Sequence, residues 1–293
     1  MSSTDAHFDS DWLALRERAD ATARSRHFQQ RLAEHLTAGG TVLEFAGGTG
    51  SLLRALVPRL TGEISWRLLD HDVALLQRAR DTLFAWASAA GCRARHVGPA
   101  LELKTPDATL RITFEQHDLT RLPTTFYGDA IVASAWCDLV SADWIENFAQ
   151  WCRRWRVPMV YLAMTVDGSI DFSPSDELDE AVSSAFQAHM QKDKGFGPAI
   201  GGDGHRLLSR ALNECGYRIA SESTPWQLDG MGNRLLAEWV CGVAAAAAEQ
   251  ETAHASGIAE HWLPLRLQEA AAGRLRVRVG HFDLLALRRP DDP

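Results

Sequence analysis

Apolar positions along the chain alternate between short continuous runs and stripes at helical spacing, which predicts strands and helices in turn. Trp12, Leu13 and Leu15, then Phe28, Leu32 and Leu36, give residues 1–37 a helical pattern that breaks at Gly39 and Gly40. Residues 41–46 read as a short buried strand. Residues 51–60 carry Leu52, Leu53, Leu56 and Val57 on one side of a helix. A second strand is expected at 64–69, then a long helix at 73–89 striped by Leu75, Leu76, Ala79, Leu83 and Phe84. Between 100 and 117, apolar and polar residues alternate around Thr105-Pro106-Asp107, as in a hairpin or a strand with an extended lead-in. A strand at 129–135, a helix at 143–155 and a strand at 157–166 follow. This order predicts an α/β fold, a doubly wound and mostly parallel sheet with helices on both faces.

The second half is less regular. A helix is expected at 175–192, with Leu178, Val182, Phe186 and His189 on one face. A glycine-rich stretch at 195–204 precedes a helix at 205–214, a strand at 217–224, two helices within 229–271 and a strand at 275–287 interrupted by Gly280. Four parts follow from this pattern: an N-terminal helical segment (1–37), a ligand-binding core (38–166), an insertion or lid (167–204), and a C-terminal part of the sheet with added helices (205–293).

Composition narrows the partners. The 293 residues are 46% hydrophobic and 23% charged, as in ordinary globular chains. A net charge of -8 repels phosphate backbones, so nucleic acid is not expected as a partner. No run approaches the ~20 apolar residues of a membrane span. Met1-Ser2-Ser3-Thr4-Asp5 lacks the basic and apolar parts of a signal peptide. Five scattered cysteines without a C-x-x-C pair argue against a metal site or disulfide framework, and a cytoplasmic location is expected.

The chemistry concentrates at predicted strand ends. Glu44-Phe45-Ala46-Gly47-Gly48-Thr49-Gly50 lies between a strand and a helix, where parallel sheets bind ligands and glycines let backbone approach closely. A dinucleotide fingerprint would need a third glycine where Leu53 stands, and no lysine completes a phosphate loop. The cluster therefore suits a nucleoside without a pyrophosphate. Asp70, followed by His71, ends the second strand and can accept hydrogen bonds from ribose hydroxyls; Asp72 is expected to cap the next helix. Asp118, beside Leu119, ends the third; it can accept from an adenine amino group or cap a turn.

These marks, followed by Gly128-Asp129-Ala130-Ile131-Val132-Ala133-Ser134, resemble the class I (Rossmann-like) S-adenosylmethionine-dependent methyltransferases. The resemblance covers about residues 40–166. It implies a seven-stranded sheet, S-adenosylmethionine as cofactor, and cofactor contacts from Glu44, Ala46, Gly47, Gly48, Gly50, Asp70, His71, Asp118, Leu119, Ser134 and Trp136. Ala46 departs from the pattern, since the family most often has glycine there. Trp136 can face the sulfonium or pack under the following helix. Asp138 can meet the ligand or cap the helix starting near Ser141. The run Ala133-Ser134-Ala135-Trp136-Cys137-Asp138-Leu139-Val140 and Val166-Asp167-Gly168 resemble bacterial small-molecule methyltransferases.

A small-molecule acceptor bound by Asp138, Asp167, His189, Lys194, Phe196 and Trp226 is expected, with His189 as the candidate catalytic base. No metal is expected. A homodimer stays open, as do two other functions, a nicotinamide-dependent oxidoreductase and a non-catalytic partner subunit.

Overall fold

β1 (Gly40–Phe45) runs through the middle of a single sheet in the computed structural model, which describes residues 9–250 and 257–290. Val42 packs into the core on one face of the sheet, and Leu43 and Phe45 into the core on the other. Burial on both faces is what a parallel strand covered by helices requires. β2 (Gly62–Asp70) and β6 (Ala130–Ser134) flank β1, and β5 (Ala108–Gln116) and β7 (Met159–Ser173) lie beyond them, all parallel. β10 (Arg276–Arg288) pairs antiparallel with β7, and β8 (Tyr217–Ser223) with β10. The seven expected strands thus stand in the order β5-β2-β1-β6-β7-β10-β8.

Three more strands make ten. β3 (Arg93–Val97) and β4 (Ala100–Lys104) extend the sheet past β5, and β9 (Trp226–Leu228) pairs with β10. The hairpin expected at 100–117 is β4–β5, turned by Thr105, whose Oγ1 accepts from Ala108 N at 2.9 Å. Among the described residues only β4 and β10 run against the other strands. Gly280 marks a register shift in the β7–β10 ladder, as its place in the strand pattern predicts.

The helices are α1 (Ser10–Ala23), α2 (Arg26–His35), α3 (Ser51–Leu56), α4 (Val73–Ala89), α5 (Ala142–Arg154), α6 (Asp179–Met190), α7 (Gly204–Glu214), α8 (Arg234–Ala248) and α9 (Leu263–Ala271). Asp72 caps α4 as expected, accepting from Ala74 N at 2.7 Å.

Two buried clusters fix what lies over the strand ends. Asp283, wholly buried in β10, accepts from Ser25 N (2.9 Å), Tyr161 Oη (2.7 Å), Met164 N (2.9 Å) and Thr224 Oγ1 (3.0 Å), which ties the α1–α2 junction to the sheet. Arg266 of α9 donates to both carboxylate oxygens of Asp179, at 2.5 and 2.6 Å, and to Glu269 at 2.8 Å, which fastens the start of α6. Within 167–204, residues 167–173 stay in β7 opposite β10, α6 packs on α8, and the stretches on either side of α6 are irregular.

Candidate functional site

The chain leaves β1 through a tight turn. Ala46 takes φ 47° and Gly48 φ 53°. A Cβ on Gly47 would stand 2.4 Å from Leu68 Cγ, so this position must be glycine. Gly48 N donates to Asp70 Oδ2 at 2.9 Å, and Asp70 Oδ1 accepts from Asp72 N at 3.0 Å. Asp70 is 4% exposed and thus locks the glycine turn to the end of β2. Carboxylate oxygens accept more than one hydrogen bond, so these two backbone contacts leave acceptor capacity toward a ligand.

A cavity of about 620 Å³ opens over this turn. Of the expected cofactor residues, Ala46, Gly47, Gly48, Asp70, His71, Asp118, Leu119, Ser134 and Trp136 line it. Glu44 and Gly50 do not. Glu44 is buried beneath the turn and accepts from Trp66 Nε1 at 2.7 Å; burial pushes its pKa up to about 7. Gly50, at φ 78°, instead starts α3. Asp118 lines the cavity and accepts from Thr120 N at 2.9 Å, which draws its carboxyl below the ordinary value. Trp136 likewise lines the cavity and packs edge-on against Trp144 of α5, with ring centroids 4.9 Å apart.

Lys194 and Phe196, expected on the acceptor side, line this same cavity. Phe196 stands edge-on to Trp136 at 5.6 Å, which draws the loop after α6 over the strand ends.

A second cavity, of about 390 Å³, lies beside the first. Arg16 lines both, and the turn after β6 gives Trp136 and Leu139 to the larger and Asp138 to the smaller. Trp12, Phe186, Trp226 and Trp239 set aromatic rings into its wall beside the aliphatic Val166, Ile170, Val243 and Val279. Three of its titratable groups are pushed toward their uncharged forms by burial: Asp138 upward, His189 downward, and His281 down to about 4. His189 Nε2 is 3.2 Å from Glu249 Oε2. Asp138 does not cap α5; Ser141 does, accepting from Trp144 N at 3.2 Å. Asp167 lines neither cavity, because it closes a local turn by accepting from Ser169 N at 2.8 Å and Ser169 Oγ at 2.6 Å.

Sequence reasoning missed the contribution of α1. Arg16, Asp20 and Arg24 line the larger cavity, and Arg16 donates to Asp20 Oδ2 at 3.1 Å while its guanidinium lies 4.8 Å from the Trp226 ring. Trp226 Nε1 completes the group by donating to Asp20 Oδ1 at 3.0 Å. The legible signal was a charged stripe at i, i+4 and i+8 on one helix face. Trp239 and His281, which no sequence pattern singled out, line the second cavity. Among the described residues no group of histidine, cysteine or carboxylate side chains is placed to hold a metal ion, and no helix is long and apolar enough to cross a membrane.

No protein-family model matches the chain, and no curated protein does. Among solved structures it is similar to a cyclopropane synthase from Mycobacterium tuberculosis, at 13% identity over 97% of each chain with a TM-score of 0.47. It is similar to a geranyl diphosphate methyltransferase in complex with its diphosphate and sinefungin, at 10% identity over 90% of this chain and 78% of that one, TM-score 0.43. A [4+2]-cyclase is similar at 15% identity over 89% of this chain and 80% of that one, TM-score 0.41. Overlaps at this level leave the function to the chemistry of the cavities.

Proposed function

We propose that the chain is a methyltransferase that uses S-adenosylmethionine and methylates a small, largely apolar molecule. The observation that carries this reading is the pair of adjoining cavities at the carboxyl ends of the parallel strands. One is built from a glycine turn and two strand-end carboxylates, the other largely from aromatic and aliphatic side chains, and Arg16 walls both.

The residues of the larger cavity fit an adenosyl ligand. A Cβ on Gly48 would project toward Leu13 Cδ1, 3.5 Å away, into the space between the turn and α1. Asp70 would accept from the ribose hydroxyls and Asp118 from the adenine amino group, with Leu75 and Leu119 offering apolar surface to the ring. Leu53, where a pyrophosphate-binding fold would have its third glycine, is fully buried in the core, which counts against a nicotinamide dinucleotide.

When bound, S-adenosylmethionine supplies a methyl group on a positively charged sulfur, open to in-line displacement by an acceptor atom. The chain's own contribution is to hold and orient the acceptor and to exclude water, which proximity alone makes effective. Trp12, Phe186, Trp226 and Trp239 would enclose its apolar body. His189, kept below the ordinary histidine pKa first by burial, presents a neutral imidazole near pH 7 that can take a proton from an acidic acceptor group. The scattered free cysteines support a cytoplasmic setting.

Calorimetric titration with S-adenosylhomocysteine tests the reading. Saturable one-site binding is expected. Absence of binding sinks it, and binding of NADH in its place favours the oxidoreductase.

A further inference from the structure

α1 ends at a buried arginine that the reading above leaves without a task. Arg24 is the C-cap residue of the helix, is 2% exposed, and lines the larger cavity. Its Nη2 donates to Ser134 Oγ at 3.0 Å and to Ser51 Oγ at 3.1 Å, and its Nε donates to Ser134 Oγ at 3.2 Å. Asp20 Oδ2 lies 3.7 Å from Nη2, outside hydrogen-bond reach, and is engaged by Arg16. The remaining nitrogen, Nη1, is buried and has no hydrogen-bond partner among the described residues. Arg266 Nε is also buried without a partner, but Arg266 lines neither cavity. A guanidinium fixed by two hydroxyls in a residue that lines a cavity, with one buried nitrogen left without a partner, has the makings of an anion receptor.

The strand-end carboxylates of this cavity lie on one side of β1, while the cations Arg16, Arg24 and Lys194 share the lining with Asp20, which Arg16 engages, and Asp193, which accepts from Gly195 N and Gly197 N. Asp70 and Asp118 stand at the ends of β2 and β5, on one side of β1. Ser134, to which Arg24 is bonded, ends β6 on the other side, and Lys194 joins Arg24 in the lining. A ligand with hydroxyls and an amine at one end and a carboxylate at the other matches this order.

We propose that Arg24 binds the carboxylate of the ligand's amino-acid tail through Nη1. This rests on the S-adenosylmethionine reading and adds to it: the cavity selects an adenosyl amino acid over an adenosine thioether that lacks the acid. Arg24 is a binding residue for the cofactor, supplied by a helix outside the sheet.

The test compares S-adenosylhomocysteine with its decarboxylated counterpart, which keeps the adenosine, the sulfur and the terminal amine. Titrated into the wild type, the carboxylate-bearing ligand is expected to bind roughly 10- to 100-fold tighter, the span of one or two hydrogen bonds to a charged group. In Arg24→Gln the ratio is expected to fall close to one. Arg24→Lys keeps the buried charge but cannot hold Ser51, Ser134 and a carboxylate together, so its ratio is expected to fall as well. A purely structural arginine would weaken both ligands in parallel and leave the ratio unchanged, and that outcome overturns the proposal. Equal affinities in the wild type overturn it without any variant. A wild type that binds neither thioether overturns the adenosyl reading itself, and this inference with it.

Discussion

Ala46 holds φ at 47°, a left-handed conformation that disfavours any side chain. Ala135, at φ 54°, does the same at the end of β6, and both line the larger cavity. Two of the four such non-glycine residues among the described residues thus stand on the rim where backbone must approach a ligand. Ala46→Gly is expected to relieve the strain, with a net gain of about 0.5 kcal/mol once the greater freedom of glycine in the unfolded chain is set against ~1 kcal/mol of relief. The urea midpoint should rise slightly, and a clear fall would mean that the turn is not left-handed. Asp70 is the reverse case, a residue whose polar contacts are all favourable. Asp70→Asn leaves one of its two backbone partners, Gly48 N or Asp72 N, facing an amide N–H. A stability loss of about 1–3 kcal/mol is expected, with a weakening of S-adenosylhomocysteine binding by roughly 10- to 100-fold. A variant with wild-type affinity would move the ribose contact elsewhere. Asp70 and Asp118 were legible in sequence because Asp70 is the last residue of β2 and Asp118 stands just past the end of β5. Arg24 was not, because its meaning depends on Ser51 and Ser134, 27 and 110 positions away.

α6 carries Phe186 and His189 into the second cavity, and its position depends on its first residue. Asp179 receives both Nη2 hydrogen bonds of Arg266 and the indole N–H of Trp262 at 2.8 Å, while Arg266 also stacks 5.2 Å from the Phe172 ring. Removing one member of such a buried cluster leaves the other charges uncompensated, so Arg266→Ala is expected to cost about 3 kcal/mol or more, read as a lower urea midpoint. The larger cavity is built without α6, so S-adenosylhomocysteine affinity measured below the transition should not change. A parallel loss of affinity would show that the two cavities are not separable. The elements themselves followed the apolar rhythm closely, from β1 to α4 and again from β6 to α5. The misses have physical causes. β3, Arg-Ala-Arg-His-Val, is an outer strand beside β4 and carries no alternating apolar pattern. The outer half of β7 reads as loop because its burial falls away beyond Thr165, although β10 still pairs with it. That Lys194 and Phe196 line the larger cavity was not legible, because a loop's sequence does not state which wall it covers.

Two buried titratable groups on different strands make opposite demands on the folded molecule. His281, in β10, is 2% exposed, and its pKa is pushed from 6.5 to about 4, first by burial and then by Arg16. Between those values the unfolded chain holds the proton and the native state does not. Its contribution to stability is therefore complete above pH 6.5 and is lost as pH falls toward 4, by about 3 kcal/mol. Glu44, in β1, is also 2% exposed, and burial raises its pKa from 4.5 to about 7 against the pull of the Trp66 hydrogen bond. Here the native state holds the proton that the unfolded chain has released. Its contribution is complete below pH 4.5 and is lost as pH rises toward 7, again by about 3 kcal/mol. From pH 4.5 to 6.5 the two slopes are equal and opposite, so in the wild type they cancel. Single variants expose them. Relative to the wild type across that window, His281→Phe should lose stability as pH rises and Glu44→Gln should gain it, each by about 3 kcal/mol. Every other titrating group is common to the three proteins and drops out of the differences. Chemical unfolding at pH 4.5 and 6.5 suffices for the measurement, and two difference curves of the same sign would remove either His281 or Glu44 from its assigned environment.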